Sequence, residues 1–144
     1  MSNNIREDCG SSKIAYFSPH WDRICEYYFK RSGFDIQNFH GDVLYVGMGG
    51  AYGPRNQSKN VKSTTILEKY PEIIQKNKII QEDWNIIEAD AYEYDFKDKK
   101  FDFIVLDIWA KYINKQEYNI LFPKFRKYLK KFGKIYTIKT LRIK

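Results

Sequence analysis

The chain is poor in the residues that build metal centres and disulfide frameworks. Its 144 residues include two cysteines and two histidines. Cys9 and Cys25 show no CxxC or Cys/His spacing, and His20 and His40 are too few and too far apart for zinc. No metal is therefore expected. The sequence also has no signal-peptide pattern and no run of about 18 apolar residues, the length that a membrane span requires. These absences predict no membrane insertion and a cytoplasmic setting.

Apolar material is plentiful. Hydrophobic residues make up 43% and aromatic residues 17%, with 12 Tyr and 10 Phe, which excludes a largely disordered chain. A chain of this size buries about 70% of its unfolded surface, enough for one independent core. Residues 1–17 form a polar N-terminal segment with little periodicity, and 18–144 are expected to form a single domain. Basic residues outnumber acidic ones to give a net charge of +7. Lys124, Lys127, Lys130, Lys131, Lys134, Lys139 and Lys144 crowd the last third. Such a face attracts nucleic acid or another anion, but solvated lysine on a helix face is the stronger explanation, so a nucleic-acid partner is not favoured.

Strand and helix signals alternate along the chain. Ser18 followed by Pro19 caps a helix with Trp21, Ile24, Cys25, Tyr28 and Phe29 on one face, and Ser32 and Gly33 end it. The run DVLYVGMGGAYG at 42–53 reads as a buried strand that stops in a loop with four glycines. A short, irregular connector follows. A second strand at 63–68 leads into YPEIIQKNK, where Pro71 suits a first helical turn. WNIIEA at 84–89 and FDFIVL at 101–106 read as the third and fourth strands. A helix over 114–131 carries Tyr118, Leu121, Phe122, Phe125, Tyr128 and Leu129, and Gly133 opens a fifth strand, KIYTIKT.

This alternation predicts an α/β, Rossmann-like, doubly wound sheet of about five mostly parallel strands, in which ligands meet the carboxyl ends of the strands. Gly47, Glu68, Asp90 and Asp107 all fall at such ends. Gly47 and Gly49 allow positive φ and a close approach of backbone to ligand. Glu68 follows Gly47 by 21 residues, the distance at which an acid meets ribose hydroxyls. The strict GxGxxG fingerprint fails, because Tyr52 stands where the third glycine belongs. The convergence of four positions, rather than any one motif, points to an adenosine-type cofactor.

With these positions placed, residues 42–140 resemble the class I S-adenosylmethionine-dependent methyltransferases and locally look most like the spermidine synthase branch. The matching segments are VLYVGMGGA, ILEKYPEII, EADAYEY and FDFIVLDIW. The resemblance implies that Gly47 and Gly49 approach the methionine part of S-adenosylmethionine and that Glu68 accepts bonds from both ribose hydroxyls. It implies that Asp90 accepts one from the adenine amine and that Ala91 lets the adenine lie flat. It makes Asp107 the catalytic candidate, orienting the cofactor's amino group or a nucleophile, with Ile108 and Trp109 shaping the pocket. On this reading Glu68→Ala weakens cofactor binding by roughly 1 to 3 kcal/mol and leaves the fold intact.

The chain departs from the family pattern in three places. Ala110 stands where the spermidine synthases carry a second acid, which disfavours polyamine synthesis. Asp107 is not followed by the Pro-Pro-Tyr of enzymes that methylate flipped bases. Strands six and seven of the family sheet are not found. The fifth strand then forms an open edge, to be protected by Lys139, Arg142 and Lys144 or paired with a second copy of the chain. Methyl transfer to an unknown acceptor is the leading reading. The alternatives are aminopropyl transfer, cleavage of the cofactor, a non-catalytic binding module, and a nicotinamide-dependent oxidoreductase.

Overall fold

The computed structural model describes residues 18–78, 82–108 and 115–138. The polar segment 1–17, Trp109, Ala110, Asn114, Lys139, Thr140, Arg142 and Lys144 lie outside them.

Helix α1, Pro19–Arg31, forms as its sequence requires. The Ser18 hydroxyl accepts the Trp21 amide at 3.2 Å, and Pro19 occupies a position whose amide would have no partner in the helix. Strand β1, Gly41–Val46, ends in the glycine loop, and a five-residue helix, α2, Tyr52–Asn56, makes up most of the short connector. Strand β2, Val61–Glu68, and helix α3, Pro71–Lys76, follow, with Pro71 in the first turn. Strands β3, Asn85–Glu88, and β4, Phe101–Leu106, lead to helix α4, Lys115–Arg126, and strand β5, Leu129–Thr137.

All four pairings are parallel, and the order is β3-β2-β1-β4-β5. Side chains along each strand alternate between two cores, as the pleat demands. Val43, Tyr45, Ile66, Phe103 and Val105 face α1 and α3, where they meet Tyr28, Phe29 and Ile73. Leu44, Val46, Leu67, Ile104 and Leu106 face the other way, toward Leu121 and Phe125 of α4. The Tyr45 hydroxyl is buried and donates to Gln57 Oε1 at 3.0 Å, while Gln57 Nε2 donates to Thr64 Oγ1 at 2.8 Å. This chain of bonds ties β1 to β2 through the connector and satisfies a phenol that burial would otherwise penalise.

One expected boundary is wrong. The helix stops at Arg126 rather than running to 131, and the last strand begins at Leu129 rather than beyond Gly133. The Phe101 amide donates to the Tyr128 carbonyl at 2.7 Å, and Leu129 pairs with Phe101, so sheet pairing captures the chain there. Tyr128 and Leu129 still pack with Phe96 and Phe125, the core that the helical stripe fills. An apolar stripe therefore cannot tell the two geometries apart.

Among the described residues β5 is an edge strand, and its exposed Lys130, Lys131 and Lys134 put charge along it. Lys130 closes an ion cluster at the amino ends of the strands. Its Nζ lies 2.8 Å from Asp42 Oδ2 and 3.0 Å from Asp102 Oδ2, while the Asp42 amide donates to Asp102 and Ser63 donates to Asp42. Lys130 and then Ser63 hold the Asp42 carboxyl below its ordinary value of 3.8. At Asp102 burial pushes upward, but the Asp42 amide and Lys130 outweigh it. The two aspartates raise Lys130 above 10.5.

The cluster's contribution is therefore complete between these ordinary values. It is lost as pH falls through the lowered carboxyl pKa values or rises through that of Lys130. Because the lysine is 42% exposed, Lys130→Ala is expected to cost only about 0.2 to 1 kcal/mol. The loss should shrink in molar salt when followed by thermal unfolding.

Candidate functional site

The chain builds outward from β1 to β2 and β3, then crosses back to place β4 on the other side of β1. This reversal of strand order between β1 and β4 is a switch point, and in open α/β sheets ligands bind at the carboxyl edge beside it. Gly47 follows β1, Glu68 ends β2, Asp90 lies two residues beyond β3, and Asp107 lies immediately beyond β4. The structure thus brings the four predicted positions to one edge of the sheet.

The two glycines have different reasons to be there. Gly47 has φ +104°, its amide donates to the Leu67 carbonyl at 2.7 Å, and a Cβ on it would run into the Asp107 carbonyl. It is the protein's own backbone, rather than a ligand, that demands glycine at this crossing. Gly49 has φ +49° and nothing within 4 Å of where its Cβ would be, so it faces open space. Of the two, Gly49 better matches the expected close approach to a ligand.

Glu68 is 5% exposed. Its Oε1 accepts the Met48 amide at 2.7 Å and its Oε2 accepts the Tyr70 amide at 3.0 Å. The carboxylate therefore ties the glycine loop to the turn after β2, a role not visible in the sequence. A carboxylate offers about four lone-pair sites, and the amides of Lys69 and Gly49 also approach this one. Burial raises the Glu68 carboxyl above its ordinary 4.5, against the opposing pull of the backbone amides of Tyr70, Met48, Lys69 and Gly49.

Asp90 Oδ1 accepts the Tyr92 amide at 2.9 Å, and Oδ2 lies 3.8 Å from Lys69 Nζ. The carboxylate both shapes its own turn and reaches toward the Glu68 turn. Ala91 is half-buried against the α4-side core. Asp107 is half-buried, its amide donates to the Val46 carbonyl at 2.8 Å, and its charge, after burial, is a cause of the raised Tyr45 phenol. Ile108 packs on the same core as Ala91, while Trp109 lies outside the described residues.

Three features of the site escape the sequence reading. Asn77, after α3, donates from Nδ2 to the Gly49 carbonyl at 3.0 Å. Arg55 of α2 donates from Nε to the Gly50 carbonyl at 3.0 Å, and its guanidinium pairs with the Asp22 carboxylate of α1. Ala51, 1% exposed, takes a left-handed conformation at φ 58° to start α2. These partners lie up to 33 residues apart, and no local pattern announces them. Among the described residues no group of three or more His, Cys, Asp or Glu could hold a metal. None of their helices is long and apolar enough to cross a membrane.

No protein-family model and no curated protein matches the chain. Solved structures do. The DhpI–SAM–HEP complex superposes with a TM-score of 0.65 at 19% identity, over 92% of this chain and 61% of that one. The N-methyltransferase NodS from Bradyrhizobium japonicum, solved with S-adenosyl-L-homocysteine, gives 0.60 at 14%, over 83% and 62%. The precorrin 8w decarboxylase of Methanobacterium thermoautotrophicum gives 0.60 at 15%, over 96% and 73%. The chain thus spans less than two thirds of the length of the first two. The chain has the Rossmann-like fold of the S-adenosylmethionine-dependent methyltransferases.

Proposed function

We propose that the chain binds S-adenosylmethionine at the carboxyl edge of β1 to β4 and transfers its methyl group to an acceptor. The observation that carries this reading is the buried Glu68 carboxylate, fastened to the glycine loop at Met48 at the carboxyl end of β2. Structural likeness to proteins solved with this cofactor or its demethylated product supports it. When bound, the cofactor supplies a methyl group activated by a sulfonium.

The residues fit such a group. Gly49 leaves room for its methionine part, Glu68 accepts from the ribose hydroxyls, and Asp90 with Ala91 takes the adenine. Asp107, at the mouth beside Gly47, orients the cofactor's amino group or a nucleophile. Transfer at a sulfonium depends mainly on holding the partners in line, so the site needs no catalytic triad.

Calorimetric titration with S-adenosylmethionine, with NAD as the control, tests the reading, and mass analysis of the incubated cofactor follows. Saturable binding of S-adenosylmethionine and not NAD is expected, and Asp107→Ala should slow cofactor turnover more than it lowers the unfolding temperature. Preference for NAD would withdraw the proposal. A transferred aminopropyl group or a cleaved cofactor would replace methyl transfer with those chemistries, and binding without product would leave a non-catalytic module.

A further inference from the structure

Glycine-rich loops are costly to order, because glycine loses more backbone freedom on folding than any other residue. In this loop three successive residues are each held by a side chain from a different part of the chain. Glu68 of β2 accepts the Met48 amide, Asn77 after α3 donates to the Gly49 carbonyl, and Arg55 of α2 donates to the Gly50 carbonyl. The loop is thus gripped by one acceptor at the Met48 amide and by two donors at the Gly49 and Gly50 carbonyls, which sets the direction in which those peptides point.

Asn77 is built for this task. It is 1% exposed, and its Nδ2 reaches both the Gly49 carbonyl at 3.0 Å and the Ile73 carbonyl at 2.8 Å. Two carbonyls can be satisfied only by the NH₂ side of the amide, so its orientation is determined and the end of α3 is locked to the loop. Arg55 adds a second link, because the guanidinium that holds Gly50 also grips both oxygens of Asp22 on α1. Its side chain is 15% exposed, which keeps water from competing freely for these bonds.

We infer that Asn77 and Arg55 are positioning residues of the cofactor site. They hold the Gly49 and Gly50 peptides in the shape the cofactor meets, and Arg55 couples the seating of α1 to that shape. This inference rests on the reading that the loop receives S-adenosylmethionine. It assigns no contact between either side chain and the cofactor.

The test compares wild type with Arg55→Lys, Asn77→Ala and Lys130→Ala, the last altering the ion cluster at the opposite end of the sheet. Arg55→Lys keeps a cation for Asp22 but has no Nε donor for Gly50. Three readouts are taken: calorimetric affinity for S-adenosylmethionine, amide hydrogen exchange of residues 48–51 without cofactor, and the unfolding temperature. Arg55→Lys and Asn77→Ala are each expected to weaken binding by about tenfold or more, the loss of one modest interaction. Both should speed exchange in the loop, while Lys130→Ala changes neither affinity nor loop exchange.

Wild-type affinity in Arg55→Lys, or loop exchange unchanged in both loop variants, overturns the inference and leaves the cofactor reading standing. An equal loss of affinity in Lys130→Ala also overturns it, by showing a general response to lost stability. No binding by the wild type overturns the cofactor reading and the inference together. Should Asn77→Ala fail to fold, Arg55→Lys alone carries the decision.

Discussion

Gly47→Ala is expected to destabilise the chain severely, and Gly49→Ala to leave it folded with a damaged site. At Gly47 a side chain meets two penalties at once. A φ of +104° suits glycine alone and costs another residue roughly 1 to 3 kcal/mol. The added methyl also strikes the backbone carbonyl of Asp107, a residue whose own amide is bonded to Val46, for a further cost of about 1 to 3 kcal/mol. Domains are stable by only about 5 to 15 kcal/mol, so the sum is a large share of the whole.

At Gly49 the φ of +49° lies in the left-handed region, where alanine pays about 1 to 2 kcal/mol, and the methyl enters open space. Ala51 already adopts such a conformation two residues later. Circular dichroism melts should therefore separate the two variants by several degrees or more, with Gly49→Ala the more stable. Calorimetry should find cofactor binding by Gly49→Ala weakened, because the methyl occupies the space that the ligand is expected to use. Equal melting temperatures would show that the contact with Asp107 relaxes freely, and full affinity in Gly49→Ala would remove that glycine from the site.

The second large effect concerns Glu68, and here the structure changes what the sequence alone leads one to expect. Glu68→Ala does more than remove a ribose acceptor. It strips the Met48 amide of its partner in a buried place and the Tyr70 amide of its partner in a half-buried one, at roughly 1 to 3 kcal/mol for each group left unsatisfied. A fall in stability should accompany the loss of binding, in contrast to the intact fold expected from spacing. Glu68→Gln is the more informative change, since it keeps the shape and one acceptor. Losing the charge should weaken cofactor binding by about 1.5 to 3 kcal/mol, or about 10- to 150-fold.

The pH dependence supplies a separate check. Burial raises the folded Glu68 carboxyl above its ordinary 4.5, so the folded state holds this proton more tightly than the unfolded state. The stability linked to this group is complete below 4.5 and falls as pH rises through the raised value. Asp42 and Asp102, held below 3.8, act in the opposite sense and at lower pH. Hydroxyl donors favour the ionised carboxylate, so cofactor affinity should rise across the same interval in which the Glu68 contribution to stability declines. In Glu68→Gln both dependences should vanish. An unchanged pH profile of affinity would exclude Glu68 from the ribose role.

Much of this architecture was legible before any coordinates. Alternating residues in the central strands and the Ser18-Pro19 start of α1 obey rules that act within a few residues, so strand runs and helix starts could be read directly. The placement of Gly47, Glu68, Asp90 and Asp107 at strand ends followed from the same rules. Long-range partners followed no such rule. The end of α4 was misplaced because Tyr128 and Leu129 satisfy the helical stripe and the strand equally, and a hydrogen bond from Phe101 decides between them.

The sequence by itself therefore determined the layered α/β class and the positions of the candidate acids, because periodicity and turn chemistry are local. Tertiary structure alone decided what each of those residues does. Gly47 is glycine because the segment after β4 passes against it, Glu68 is a tie as well as an acceptor, and Asn77 reaches the loop from the end of α3 while Arg55 links it to Asp22 of α1. Such roles depend on distances across the sheet, and a distance across a sheet is set by the packing of every element between its ends.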